Sequence, residues 1–300
     1  MRFRVVPQEQ GTALGSLVGN RLPKKSKRQG IELVKAGAVY IGHLRVRVPS
    51  TRVATGDRVT VYPEALEVEE LKPDDVLDFV HRDESFVIVD KPAGVPVAAT
   101  KATARGTLSE ALRRKLRTEG FERPYVGVVH RLDQGASGLV LFTIRSVANK
   151  SVHRDFEHHR IERTYRVRVV GDAPSSFDCD APLIERPGTD SMQVAKSGQA
   201  RAKPAQTKFR RVEAALEIPG TSLLQVDLVT GRTHQIRVHA AHSGFPVYGD
   251  RRYGSGDTDA QRLHLHAWRL QFGHPFERDV VIDLQTKLED WARASTDDAS

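Results

Sequence analysis

The sequence predicts an α+β protein in which a mixed, largely antiparallel sheet is flanked by helices and preceded by a small α/β module. Short segments in which apolar and polar residues alternate, such as 164–170 and 224–228, are typical of strands. Apolar residues spaced four apart at 108–116 and 148–156 indicate amphipathic helices. Together these patterns predict a sheet with helices packed on it.

An acidic stretch with two prolines divides the chain. Residues 63–79 read PEALEVEELKPDDVLDF, a composition typical of a linker between domains. The predicted organisation is therefore a module at 1–62, a linker at 63–79 and a larger domain at 80–300.

Composition narrows the class of protein. The chain has 300 residues, enough for one large domain and a small one. Lys and Arg number 46 against 38 Asp and Glu, and the formal charge of +8 favours a polyanionic partner. Cys179 is the only cysteine, which excludes an internal disulfide and fits a reducing compartment. Neither a run of about 18 apolar residues nor a secretory leader pattern occurs, so we expect a cytoplasmic protein without a membrane partner.

The predicted module changes from helical to β character along its length. In the strand at 44–48, Leu44, Val46 and Val48 share one face and are expected to pack, while arginines occupy the other face. A basic run without acids, RLPKKSKR, precedes that strand. Such a run is usually a solvated face, but beside an arginine-faced strand a phosphate-contacting surface is an equal alternative. The candidate phosphate contacts are Arg21, Lys24, Lys25, Arg45 and Arg47.

The most informative stretch is YVGVVHRLDQGASGLVLF at 125–142. Apolar runs on both sides predict two buried strands, and Gly135 and Gly138 allow the polar loop between them to turn tightly. The loop holds Asp133 between the two strands. Taken alone, this pattern also fits a hairpin with a solvated aspartate.

Two later segments supply candidate neighbours for that aspartate. Tyr165 shares the inward face of its strand with valines. After Gly231, the sequence predicts a helix with Thr233 as its N-cap and Arg237 one turn inside. A buried carboxylate needs a cationic or hydrogen-bonding partner, and Arg237 is the first candidate partner for Asp133.

Other kinds of site find less support. His234 and His239 lie on different sides of the predicted helix, which leaves only His239 and His242 as neighbours, without a CxxC or HExxH pattern. No GxxxxGK[ST] or GxGxxG element is present, and Ser137 is not in a GxSxG elbow. The sequence therefore predicts no metal site and no cofactor.

Residues 34–62, VKAGAVYIGHLRVRVPSTRVATGDRVTVY, resemble the αL RNA-binding module of several ribosomal and RNA-modifying proteins. Five further motifs resemble the pseudouridine synthases, in the branch that includes large-subunit ribosomal RNA enzymes. They are DKPAGVPV at 90–97, HRLDQGASGLVLF at 130–142, RTYRVRVVG at 163–171, LVTGRTHQIRVHAAHSGFPVYGD at 228–250 and LHAWRLQF at 265–272. Two departures occur: Gln-Gly-Ala-Ser follows the aspartate in place of Arg-Asp-Thr-Ser, and Arg163 replaces a frequent lysine.

The resemblance implies a cofactor-free isomerase that converts uridine to pseudouridine in RNA. It makes Asp133 the catalytic aspartate, Tyr165 the support of the uracil ring and Arg237 the partner of Asp133. The remaining roles it implies are RNA contacts for His130 and Arg131, and a substrate pocket containing Leu265 and Gln235. We expect a monomer that acts on RNA, with ribosomal RNA favoured over transfer RNA.

Three alternatives stay open at this point. A non-catalytic RNA-binding or ribosome-assembly factor could keep the fold, although pure binding does not need a buried acid. A glycosidase-like hydrolase usually requires two acting carboxylates, and only Asp133 stands out. Within the isomerase reading, Asp133 could attack the sugar carbon or remove a sugar proton to give a glycal.

Overall fold

The computed structural model describes residues 1–22, 26–66, 71–99, 106–189, 191–254 and 260–297. The chain forms two compact units, one of residues 1–75 with 98–115 and one of residues 76–97 with 116–300. The linear boundaries at 62 and 79 stay a prediction. No helix in the described ranges is long and apolar enough to cross a membrane.

The first unit contains a four-stranded antiparallel sheet and two helices that share one core. The sheet order is β1-β4-β2-β3. Its elements are β1 (Arg2–Arg4), α1 (Leu14–Arg21), α2 (Lys27–Ala36), β2 (Val39–Ile41), β3 (Leu44–Val46) and β4 (Arg58–Val61). Helix α2 begins where the Ser26 hydroxyl accepts from the Gln29 N–H, and it ends at Gly37 with φ of 75°. The helical-then-β pattern of the sequence is present, with β1 as an addition.

The expected packing of β3 needs a correction. Leu44 and Val48 are 76% and 58% exposed, so only Val46 of the three apolar residues packs against the core. Leu44 lies next to the Gly42 turn on an edge strand, and Val48 follows the end of that strand. The alternation gave the correct faces but could not indicate where the covering elements end.

Helices α3 (Pro73–Val76) and α4 (Leu108–Thr118) each contain a boundary between the two units. These boundaries follow residues 75 and 115. The Thr107 hydroxyl accepts from the Glu110 N–H, as the capping pattern predicts, while the Glu110 carboxylate accepts from the Gly106 N–H. Within the described ranges, 3₁₀ turns lie at Pro7–Glu9, Pro63–Leu66 and Asp290–Ala292.

The second unit is built on one large sheet. Its remaining helices are α5 (Ser146–Glu157) and α6 (Gln235–His242). Its strands are β5 (Asp78–Arg82), β6 (Phe86–Lys91), β7 (Gly127–Val128), β8 (Ser137–Thr143), β9 (Glu162–Val170), β10 (Ser176–Cys179), β11 (Leu183–Glu185), β12 (Met192–Val194), β13 (Thr207–Val212), β14 (Thr221–Leu228), β15 (Leu265–Gly273) and β16 (Val281–Gln285). A separate two-stranded sheet consists of β11 and β12.

The large sheet has the order β10-β13-β14-β9-β15-β8-β6-β5, with β16 paired to β15 and β7 paired to β8. Every pairing in it is antiparallel except that of β15 with β8, where His266 lies opposite Ser137. The predicted mixed, largely antiparallel sheet is therefore confirmed. Because β15 separates β8 from β9, a late segment of the chain occupies the middle of the sheet.

Both faces of the central strand β9 are buried, although the sequence indicated only one core face. Tyr165, Val167 and Val169 are buried on one face, and Arg166 and Arg168 are buried on the other. Arg168 donates to the carbonyl oxygens of Trp291 and Leu216 and to the Thr221 hydroxyl. These acceptors satisfy the buried Arg168 guanidinium. Because an arginine that alternates with valines resembles a surface residue in the sequence, the pattern predicts an exposed face where the structure has a buried one.

Gly138 occupies the tightest backbone approach in the sheet. Its φ is 109°, and a Cβ placed there would lie 2.2 Å from the Ala267 carbonyl oxygen. We expect Gly138→Ala to lower the free energy of unfolding by at least about 3 kcal/mol, because backbone strain and a backbone clash act together. Gly273→Ala, with no atom within 4 Å of its Cβ, is the control for urea unfolding. Equal midpoints for the two variants would contradict this prediction.

Candidate active site

Asp133 lies in the turn between β7 and β8, at the start of the central part of the sheet. Strands β7 and β8 are antiparallel, with Gly127 opposite Thr143 and Val128 opposite Phe142. The Ala136 N–H donates to the Asp133 carbonyl oxygen at 3.1 Å and closes the turn. Gln134 and Gly94 exchange two hydrogen bonds, from the Gly94 N–H at 2.8 Å and from the Gln134 side-chain amide at 2.9 Å. The 90–97 motif therefore supports the loop that carries Asp133.

Lys91 holds the underside of this loop. Its side chain is completely buried, and its Nζ lies 2.9, 2.8 and 3.2 Å from the carbonyl oxygens of Pro92, Val95 and Gln134. Burial, offset in part by the Asp133 carboxylate, lowers the pKa of Lys91 to about 7. One side chain thus fixes the 90–97 turn and the residue after Asp133 together.

Removing this amine should loosen the loop. We expect Lys91→Met to lower kcat about ten- to a hundredfold, because a small displacement of a reacting group has effects of that size. The Gly94 amide should also exchange its hydrogen faster, since its acceptor on Gln134 is no longer fixed. Lys287→Met, at an exposed lysine, is the control. Unchanged exchange at Gly94 would show that the loop does not depend on Lys91.

The segment that carries Arg237 begins differently from the prediction. Helix α6 starts at Gln235, and its N-cap is His234 with φ of 55° and no side-chain capping bond. The prediction of Thr233 as N-cap is therefore wrong. The preceding turn is held instead by the Gln235 side chain, whose oxygen accepts from the Thr230 hydroxyl at 2.7 Å and from the Arg232 N–H at 3.0 Å.

Arg237 bridges two carboxylates. Its Nη1 donates to Asp133 Oδ2 at 2.8 Å, while its Nε and Nη2 donate to the two oxygens of Asp250, each at 2.7 Å. Burial alone lowers the pKa of Arg237, but the hydrogen bonds that Arg237 donates to Asp250 and Asp133, with the charges of these carboxylates, outweigh it and raise that pKa. Arg237 therefore remains a cation, and Asp133 always faces a positive charge.

Asp250 was not singled out by the sequence analysis. Its side chain is fully buried and also accepts from the backbone N–H groups of Arg252 and Tyr253. Burial by itself raises the pKa of Asp250, but Arg237 and these N–H groups hold it below its ordinary value. Asp250 follows a glycine at the end of the 228–250 motif, outside any helical or strand periodicity. No sequence pattern therefore predicts that it pairs with Arg237.

His234 is a second neighbour of Asp133 with a strained backbone. Its Nε2 lies 3.8 Å from Asp133 Oδ1, and its Nδ1 lies 2.7 Å from the Tyr253 hydroxyl. The Tyr253 hydroxyl accepts from the Met192 N–H, so it donates its own hydrogen bond to His234 Nδ1. The proton of the neutral His234 ring then lies on Nε2, which faces Asp133. Burial lowers the pKa of His234, which favours the neutral ring.

Tyr165 and Arg163 lie on β9 beside this cluster. Tyr165 is buried, and burial, with the Asp133 carboxylate adding to it, raises the pKa of its phenol. Arg163 is buried too, with its guanidinium carbon 5.5 Å from the centre of the Phe156 ring and its Nε without a partner among the described residues. Asp133 thus has the Arg237 cation as its hydrogen-bond partner, and the buried phenol of Tyr165 lies close enough for the Asp133 charge to act on it.

A profile of the family described as RNA pseudouridylate synthase matches residues 85–242 of the chain. That range contains Asp133, Tyr165 and Arg237. The chain belongs to this family. The synthase therefore isomerises uridine to pseudouridine in RNA, as the sequence motifs imply.

Relatives of the synthase agree with this assignment over nearly the whole chain. It is 32% identical over 298 residues to an uncharacterized RNA pseudouridine synthase of Aquifex aeolicus, with 94% of this chain and 92% of the relative covered. It is 30% identical to ribosomal large subunit pseudouridine synthase C of Vibrio vulnificus, with 88% and 86% covered. The solved structure of human RNA pseudouridylate synthase domain containing 1 covers 73% of this chain and 86% of its own, with 26% identity and a TM-score of 0.59.

The structure places His130 and Arg131 of the synthase in different surroundings. The His130 ring stacks on Phe156 at 4.9 Å, and its Nε2 accepts from the Leu141 N–H at 3.0 Å. Burial lowers the pKa of His130 to about 3, so the ring is neutral. Arg131 is exposed and makes no side-chain hydrogen bond or ion pair within the described ranges.

The two residues expected in the substrate pocket of the synthase are both buried. Leu265 lies opposite Val167 in the pairing of β15 with β9. The Gln235 amide donates to the Gln206 carbonyl and the Thr207 hydroxyl, each at 2.9 Å, in addition to its two accepted bonds. All four hydrogen-bonding positions of Gln235 are thus used inside the protein, where they hold the turn before α6.

The predicted phosphate contacts of the first unit differ in whether the protein itself already binds their side chains. Arg21 is paired with Glu9 at 2.7 Å, and Arg45 donates to the Tyr40 hydroxyl at 2.6 Å. Arg47 as a whole is exposed, although its guanidinium is partly desolvated; this desolvation, together with the charge of nearby Arg45, lowers the pKa of Arg47. Lys24 and Lys25 lie outside the described residues. Of the part of the chain that the structure describes, no three His, Cys, Asp or Glu side chains form a group that could hold a metal ion.

Proposed function

We propose that the synthase modifies uridines of large-subunit ribosomal RNA and that Asp133 is its catalytic carboxylate. The ribosomal part of the proposal is supported by the name of the Vibrio vulnificus relative. The catalytic part is carried by one observation: Asp133 is fixed by Arg237, which is itself fixed by the buried Asp250. Such a chain of hydrogen bonds pre-orients one carboxylate for reaction, as efficient catalysis requires.

The chemistry needs one carboxylate and no redox partner. The bond from the ribose C1′ to N1 of uracil breaks, the detached base turns, and C5 bonds to the same C1′ while its proton leaves. Asp133 either attacks C1′ or removes the C2′ proton to give a glycal, and both routes use the ionised acid. Arg237 balances the charge of this carboxylate in either route.

The neighbouring groups fit defined tasks in this reaction. The neutral Tyr165 packs against the uracil ring, and the buried surroundings keep out water that would hydrolyse the detached sugar. A uridine must leave its stack to reach Asp133, and we propose that Arg131, which is exposed, occupies the gap that the uridine leaves. We assign to His130 a supporting role, because its ring is engaged with Leu141 and Phe156. Leu265 stays a candidate wall of the pocket.

The first unit is proposed to bind RNA through Arg47 and the lysines at 24 and 25, with Arg21 and Arg45 held by internal contacts. The division into residues 1–62, 63–79 and 80–300 remains part of this proposal. The synthase is further proposed to work in the cytoplasm as a monomer. Light scattering with and without RNA measures the molar mass and so tests the monomeric state.

The test uses RNA labelled with tritium at C5 of uridine, since pseudouridine formation releases that label. We expect release from transcripts of large-subunit ribosomal RNA and none from transfer RNA transcripts. Release from transfer RNA alone would overturn the ribosomal assignment. Release from neither RNA by the full-length protein would overturn the proposed function.

A further inference from the structure

The sheet of the first unit has one face covered by helices and one face that carries charge and aromatic rings. Val39, Val59 and Val61 point into the core shared with α1 and α2. Residues that alternate with such core-facing residues along each strand therefore point to the other side of the sheet. The strand pairings place four of these side chains in one row across the sheet: Arg2, Thr60, Tyr40 and Arg45.

A cleft of about 450 Å³ opens on this face. Its lining residues are Arg2, Tyr40, Gly42, His43, Arg58, Thr60 and Tyr62. The Tyr40 and Tyr62 rings meet edge to face with centres 5.9 Å apart, while the Arg45 guanidinium carbon lies 5.2 Å from the Tyr40 ring centre. The cleft is large enough for a nucleotide-sized ligand.

The charge of the cleft is positive and unpaired. Arg2 and Arg58 are exposed, and neither forms a side-chain hydrogen bond or ion pair with the residues that the structure describes. No carboxylate is among the lining residues. Arg45, in contrast, is held by the Tyr40 hydroxyl and helps to fix that ring. The Tyr40 ring is buried, while the Tyr62 ring packs in part against the core and is only partly buried. Two available guanidinium groups beside the partly exposed Tyr62 ring are complementary to a phosphate and an attached base.

The geometry points to a binding site for an unpaired nucleotide of the RNA substrate on this face of the first unit. Arg2 and Arg58 contact phosphates, and the base stacks on Tyr62. Bases within an A-form duplex are stacked on each other and cannot reach an aromatic ring, whereas bases of loops and single strands can. This site uses none of the residues of the basic run at 21–28, and it rests on the proposed function because it assumes an RNA substrate.

The first test measures binding of the full-length protein to a single-stranded uridine-rich RNA oligonucleotide and to a blunt RNA duplex. Tyr62→Leu should weaken the single-strand Kd about fivefold or more relative to Tyr62→Phe, because one stacked base is lost. Duplex binding should be the same for both variants. Equal single-strand Kd values for Tyr62→Leu and Tyr62→Phe would overturn the site.

The second test uses the salt dependence of the same binding. Arg58→Gln should reduce the slope of log K against log salt by about 0.7, as expected for one lost phosphate contact on a single strand. Lys35→Gln is the matched control, because Lys35 is an exposed cation on α2, which packs on the other face of the sheet. Equal slopes for the two variants would overturn the phosphate contact.

A third measurement does not depend on any variant. An oligonucleotide that carries photoreactive 5-iodouridine should crosslink to a peptide that contains Tyr40 or Tyr62, and crosslinks elsewhere only would overturn the site. Tritium release by the same preparation separates the two proposals. Retained release with no effect of Tyr62 or Arg58 rejects this site alone, whereas absent release rejects the proposed function.

Discussion

Asp133→Asn is expected to reduce tritium release from C5-labelled RNA by at least about 10⁴-fold, a size typical of losing the reacting group of an enzyme. The amide has nearly the same shape, but it can neither attack the sugar carbon nor take its proton. RNA binding should change little, because Arg237 keeps its bidentate partner Asp250 and the loop keeps its contacts with Gly94. Single-turnover release with saturating enzyme measures the chemical step directly.

Asp178→Asn is the control for this substitution. Asp178 is an exposed residue on β10 and makes no side-chain hydrogen bond or ion pair with the described residues. Its replacement makes the same chemical change on a strand that carries none of Asp133, Tyr165 and Arg237. Substantial release by Asp133→Asn, within tenfold of the Asp178→Asn rate, would reject Asp133 as the reacting carboxylate.

Asp250→Asn is expected to lower both stability and kcat. Its carboxylate is buried and receives two hydrogen bonds from Arg237, so its removal leaves a buried cation partly unpaired. Breaking a buried ion pair costs about 3–5 kcal/mol in unfolding free energy. Displacement of Arg237 should lower kcat about 10²-fold, with the Kd for RNA nearly unchanged.

The acid dependence of stability should change in the same variant. The pKa of Asp250 is held below its unfolded value of 3.8, so the folded protein binds the proton less readily than the unfolded chain. This contribution to stability is complete above about pH 5 and is lost as the pH falls through 3.8 toward the folded pKa. Urea unfolding at a series of pH values should show a smaller acid loss for Asp250→Asn than for the wild type.

A surface pair provides the comparison for Asp250. Asp283 on strand β16 accepts from Arg269 on strand β15, and both side chains are more than a third exposed. Asp283→Asn should therefore cost less than about 1 kcal/mol and leave kcat unaltered. A stability loss for Asp250→Asn no larger than that of Asp283→Asn would show that Arg237 does not depend on Asp250.

The parts of the structure that follow from local patterns were predictable from the sequence. Apolar runs around the loop at 130–138 gave the two strands that hold Asp133, and alternation placed Tyr165 on an inward face. The helix that carries Arg237 was also expected, and a buried acid near an arginine has few alternatives to pairing with it. These inferences work because strand and helix periods are set by backbone geometry.

Features that depend on long-range packing were not predictable. Arg168 is charged and alternates with valines, yet it is fully buried because the carbonyls of residues 216 and 291 surround it. The role of Asp250 depends on the end of one helix meeting a later turn, and Gln235 supports a loop because its neighbours arrive from residues 206 and 207. No local pattern encodes which distant groups will supply these partners.

The position of β15 in the middle of the sheet has a consequence for how the chain folds. Asp133 belongs to the half of the sheet built on β8, and Tyr165 belongs to the half built on β9. Ala267 of β15 lies opposite both Gly138 and Tyr165, so this strand alone joins the two halves within the described sheet. A chain that is still being synthesised therefore contains both residues long before they can meet. Contacts over such sequence separations form slowly, and the reactive site is completed only by one of the last strands to emerge.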